Sequence, residues 1–174
     1  MKKLFIIFTL TLVLFGCSKE DKDVKKTESL SLEEQITHVM SENKLKNKEI
    51  IDYDIKDNFV YVIFKNQHAF SNTHNPDLVI LENNNGNLEW VAGPDDRTMS
   101  IDTAIIFGRD EGPSVTIHMP LNNTKIKEIK VFGESAKAVT YVEHFTNDFS
   151  MEYKYWIAYS NEEPTADDIE IVME

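Results

Sequence analysis

The sequence predicts an α+β protein: one N-terminal amphipathic helix with an antiparallel sheet, followed by a β-rich, sandwich-like C-terminal part. Three observations carry this. One stretch, 32–43, repeats its apolar residues at helical spacing. Two hairpin signatures follow, one turning at Lys56-Asp57-Asn58 and one at Asn83-Asn84-Asn85-Gly86-Asn87. Beyond Gly108, short apolar runs recur at spacings of roughly 10 to 15 residues with turn formers between them.

Residues 1–16 read as a lipoprotein signal peptide. Lys2 and Lys3 precede a twelve-residue run, 4–15, that is broken only by Thr9 and Thr11. A charged start and a short apolar run make a secretory signal. A membrane-spanning helix needs about 20 apolar residues, so the segment is expected to be cleaved rather than to anchor the mature chain. Leu14-Phe15-Gly16-Cys17 resembles the lipobox of bacterial lipoproteins, and that resemblance implies a diacylglyceryl group on Cys17, which becomes the mature N-terminus. Cys17 is the chain's one cysteine. A secreted chain with one thiol has no disulfide to make, and lipidation accounts for it. Two or more acyl chains hold a protein stably at a bilayer where one does not.

Residues 17–30 hold the lipidated cysteine and a flexible tether. From Ser18 onward they are polar and charged, with too little apolar surface to fold. A flexible chain of about 13 residues spans on the order of 20 Å root-mean-square, enough to lift a domain clear of lipid headgroups.

The α+β part occupies 31–107. Ser31 with Glu34 forms a capping-box signature, and Leu32, Ile36, Val39 and Met40 then share one helical face. Glu33, Glu34, Thr37, Ser41 and Glu42 share the other, so the helix is predicted to lie on its own sheet. Ile51, Tyr53 and Ile55 alternate before the first turn, and the run 59–64 follows it. The second hairpin pairs 78–82 with 88–92, and its Asn-Gly suits a turn needing positive φ. Gly93-Pro94-Asp95-Asp96 closes the unit, and 99–107 reads as one further strand. Gly108-Arg109-Asp110-Glu111-Gly112-Pro113 concentrates turn formers and marks a boundary. The β-rich part, 108–174, then holds strands at 115–119, 126–132, 138–145, 153–159 and 169–172.

Charge narrows the partners. The chain carries 18 basic and 30 acidic residues, net −12, and loss of 1–16 leaves −14. Nucleic acid and anionic lipid need clustered Lys and Arg, so neither is an expected ligand of the folded part.

Motifs for chemistry are sparse. His68 and His74, with Asp77, make a weak zinc pair, since zinc takes three or four ligands. The calcium-loop frame around Gly86 puts Leu81 at its first position and Ala92 at its last, where acids are required. Glu162, Glu163, Asp167 and Asp168 read as a solvated acidic face. No Gly-x-Ser-x-Gly elbow, phosphate loop or dinucleotide pattern is found. No catalytic residue, metal or cofactor is assigned.

Aromatic residues crowd 149–159. Tyr153, Tyr155, Ile157 and Tyr159 alternate with Lys154, Trp156 and Ala158, so both strand faces carry an aromatic. One face is core. The other, if exposed, is a candidate surface for an envelope protein or glycan, carried by Trp156 on one face or by Tyr155 and Tyr153 on the opposite one.

The order of a helix, the hairpin with Phe59-Val60-Tyr61-Val62-Ile63-Phe64, the strand Glu89-Trp90-Val91-Ala92-Gly93 and the run Ile126-Lys127-Glu128-Ile129-Lys130-Val131 resembles a group of uncharacterised lipoproteins of Gram-positive bacteria. The resemblance implies the architecture and brings no catalytic residues. Together these readings predict a non-catalytic interaction module, lipid-anchored at the extracytoplasmic face of the cell membrane. An envelope hydrolase and a small-ligand or peptide-binding lipoprotein are the alternatives.

Overall fold

A computed structural model describes residues 30–67, 74–101, 104–120 and 125–174. The signal, the lipobox with Cys17 and the tether lie outside the described residues. Ser31 opens the first element as its side chain requires. Its Oγ accepts from the Glu34 N–H at 3.3 Å, and the Glu34 carboxylate accepts from the Ser31 N–H at 2.8 Å. These bonds start helix α1 (Leu32–Glu42). The bond to the Ser31 backbone holds the Glu34 carboxyl below its usual range. The helix stops at Asn43, whose side chain donates to the Val39 carbonyl at 2.9 Å, and Lys44 follows at a φ of 68°.

The first sheet has the order β1 (Ile50–Lys56), β2 (Phe59–Gln67), β3 (His74–Asn84), β4 (Asn87–Ala92), all antiparallel. Ile36, Val39 and Met40 of α1 bury against Val60, Val62, Phe64, Val79 and Leu81 on one face of it. Phe59, Tyr61, Ile63, Leu78 and Ile80 occupy the opposite face and meet a second sheet. Covered on both faces, the runs 59–64 of β2 and 78–81 of β3 have no position for water, which is why they are apolar without alternation.

The second sheet has the order β10 (Lys137–Thr146), β11 (Phe149–Ser160), β7 (Ser114–His118), β6 (Ala104–Phe107), β5 (Met99–Ile101). Phe107, Val115, Ile117, Tyr155 and Ile157 face the first sheet. A third, of order β12 (Ile169–Met173), β8 (Ile126–Val131), β9 (Glu134–Ser135), covers part of the outer face by packing Ile126 and Ile129 on Trp156. The described residues are therefore predominantly antiparallel β-sheet with one short helix.

Ions tie the sheets at their edges. Lys65 of β2 reaches β10, donating to the Val142 carbonyl at 3.0 Å, and lies 2.8 Å from Glu49 and 3.3 Å from Glu143. It caps an edge carbonyl that would otherwise invite another strand. Burial pushes its ammonium down, and the hydrogen bonds to Glu49 and Glu143 outweigh that and leave it raised. Lys137 likewise bridges from β10 to Asp52 (2.6 Å) and Asp54 (2.8 Å) of β1.

Two sequence expectations change. The stretch 99–107 is two strands, β5 and β6, paired antiparallel with each other. The segment 108–113 is a connection inside one sheet, because β6 and β7 on either side of it pair together. Strand contacts thus run across the position read as a boundary, and its turn formers serve a hairpin.

Candidate functional site

Burial overturns the surface predicted at Trp156, Tyr155 and Tyr153. Trp156 is 2 % exposed and Tyr155 0 %, and Tyr153 is half-buried. The alternation is as read, with Tyr155 and Ile157 toward the first sheet and Trp156 toward the third. The third sheet is what closes the Trp156 face, and Lys154 covers the indole with its ammonium 4.7 Å from the ring.

The exposed apolar surface lies at the other end of the same hairpin. Here β10 and β11 run past β7, which pairs only with 156–160, and form a two-stranded ribbon. Phe149 is 54 % exposed, Met151 43 % and Phe145 36 %. Phe145 and Phe149 pack ring to ring at 5.6 Å, and Tyr141 stacks on Tyr153 at 5.5 Å. Met151, Phe149 and Tyr153 share one side of β11 with buried Tyr155. An apolar strip therefore leaves the core and runs about 20 Å along the ribbon at a strand's rise per residue. Phe149 is the one member of the strip's tip that the aromatic crowding in the sequence had included.

A second feature is a cleft of about 450 Å³ between the β8–β9 turn and the end of β11. Pro113, Val131, Phe132 and Tyr159 give it apolar walls, and Glu134 and Glu162 stand at its rim. The turn is Phe132-Gly133, with φ of 51° and 79°. A bulky side chain in this left-handed region costs roughly 1–2 kcal/mol. Phe132 takes this conformation while 43 % exposed. The sequence concealed this, because 126–132 reads as continuous strand and a Gly after Phe carries little signal.

Tyr159 links the cleft wall to the core. Its hydroxyl donates to Asp54 at 2.8 Å, its ring meets Tyr61 edge-on at 5.0 Å, and Lys56 sits 4.9 Å above it. Burial, then the bond to Asp54, raises its phenol pKa. Tyr61 donates to the Pro113 carbonyl at 3.0 Å and holds the loop beside the cleft.

Two further acids, Asp168 and Asp77, have structural tasks. Asp168 accepts from the Thr165 N–H (2.9 Å) and hydroxyl (2.7 Å), which start a 3-10 turn at Ala166–Asp168 and lower its pKa. Asp77 is buried with Asn66, Arg97 and the Leu78 N–H around it. His68 lies outside the described residues, so its pairing with His74 is not placed. Among the described residues no three His, Cys, Asp or Glu stand close enough to hold a metal, and no helix is long and apolar enough to cross a membrane. No protein-family model, curated protein or solved structure matches this chain.

Proposed function

We propose that the chain is a lipid-anchored lipoprotein of the extracytoplasmic membrane face, akin to the Gram-positive group it resembles, acting without catalysis as an interaction module. On this reading the folded part is an α+β, sandwich-like domain carried on a tether from Cys17. The observation behind the interaction role is the strip of Phe145, Phe149 and Met151 on the projecting ribbon. Monomeric proteins rarely leave contiguous large apolar side chains in water, and those that do use them as contact surfaces. An envelope protein is the expected partner, with aromatic and sulfur side chains as its anchors.

The test is crosslinking in intact cells with the native chain, Cys17→Ala, and Phe149→Ser with Met151→Ser, each followed by fractionation and mass spectrometry. The native chain is expected in the membrane fraction with a reproducible partner. Cys17→Ala is expected to leave the membrane, and the double ribbon variant to stay there and lose the partner. Retention of Cys17→Ala at the membrane would sink the anchor, and an unchanged partner in the ribbon variant would sink the contact surface.

A further inference from the structure

We propose that the cleft beside Phe132 binds a basic peptide side chain, a lysine or arginine whose apolar stem enters the cleft and whose charge meets Glu134 and Glu162. The site stands apart from the ribbon. It lies at the Ser160 end of β11, about 35 Å of strand from Phe149, so its test does not depend on the ribbon's partner.

The first ground is an internal control. The β3–β4 turn has the same pair of positive angles, 54° and 92°, and fills them with Asn85-Gly86, the pair such a turn prefers. The Asn83 side chain helps it by accepting from the Gly86 N–H at 2.8 Å. The β8–β9 turn keeps the glycine and replaces the asparagine with Phe132. The Phe132 N–H is held by the Asp168 carbonyl at 2.9 Å, so the backbone is fixed and the phenyl is presented outward. Phe132 thus departs from the residue its turn prefers and leaves 43 % of its surface in water beside the cleft.

The second ground is charge. Among the described residues, Glu134 and Glu162 form no ion pair and no cation of this chain lies over Phe132. Other rings are already occupied: Lys56 lies over Tyr159, Arg109 over Phe59 and Lys154 over Trp156. Lys56 stands against the Tyr159 wall, and the two carboxylates with the part-exposed Phe132 ring make the opposite side of the cleft a site for a cation, toward which a chain of net charge −12 draws cations. The third ground is size and lining. A volume of about 450 Å³ suits a side chain with its flanking backbone, and the walls of Val131, Pro113 and Phe132 suit a methylene stem.

The experiment uses the chain from Ser18 onward and follows backbone NMR shifts during titration with an N-acetylated Lys-Leu-Lys amide. Spermidine and a Glu-Leu-Glu peptide are titrated in parallel. Shifts are expected at 131–134 and 159–162 with the basic peptide alone. Glu134→Gln with Glu162→Gln is expected to weaken binding by about tenfold or more. Phe132→Asn is expected to weaken it too, and to raise the melting temperature by about 2–4 °C through strain relief. Asp167→Asn, outside the cleft, is expected to change neither. Shifts spread over the acidic surface, equal binding of spermidine, or affinity untouched by the glutamate pair would each overturn the proposal. A Phe132→Asn variant that binds normally would overturn it too.

Discussion

The two halves of β11 are alike in composition and opposite in exposure. Tyr155, Trp156 and Ile157 are enclosed, the first and third by the first sheet and Trp156 by the third sheet. Phe149 and Met151, a few residues earlier and equally apolar, stand in water. Composition does not separate them. The enclosed half has β7 beside it and a sheet on each face, whereas the exposed half has only β10. Apolar character in a strand therefore marks a surface to be covered, and topology decides whether the cover comes from the same chain.

The largest effect that would break the enclosed half is alkaline titration, because it acts on several phenols at once. Burial pushes Tyr61 up to about 12, and burial with nearby carboxylates holds Tyr141, Tyr155 and Tyr159 above the ordinary 10.0 as well. A pKa raised by folding contributes stability that is complete below the unfolded value and is lost as pH rises through the folded one. The fold is expected to hold to about pH 10 and then fail cooperatively, with tyrosinate absorbance rising as circular dichroism collapses. Tyrosinate from all six phenols near pH 10 with the sheets intact would contradict these burials.

Trp156→Ala comes next. It removes the largest side chain between the second and third sheets, and its cost is about 3–5 kcal/mol, read as a lower midpoint in urea. Lys65→Met follows at on the order of 3 kcal/mol, since it takes a buried ammonium from between Glu49 and Glu143 and uncaps the Val142 carbonyl. A cost below about 1 kcal/mol would mean that the ribbon's root does not depend on this tie.

What the sequence revealed divides along the same line. The Ser31–Glu34 cap and the Asn85-Gly86 turn were legible because their bonds close within three residues. The two faces of 153–159 were legible because alternation is a property of the strand alone. Which face was covered was not, because the cover on Trp156 comes from Ile126 and Ile129, far back in the chain. The split of 99–107 into two strands was hidden by an apolar run that continues through a hairpin. The cleft was hidden twice over, by an aromatic residue at a positive φ and by walls drawn from three separate connections.

The smallest effect on stability sharpens the comparison most. Phe149→Ser removes a ring that is 54 % exposed and touches Phe145 at 5.6 Å, so it gives up one ring contact and little burial. Its midpoint in urea is expected within about 0.5 kcal/mol of the native protein, as for other surface substitutions. Trp156→Ala, seven residues along the same strand, differs from it by several kcal/mol on the same measurement. If Phe149→Ser cost as much as Trp156→Ala, the ribbon would be core in solution, covered by something within the chain or by a second copy of it. A midpoint unchanged with dilution would then point to the chain itself, and one that falls with dilution to the second copy. A near-neutral Phe149→Ser leaves the ring in water, available to a partner.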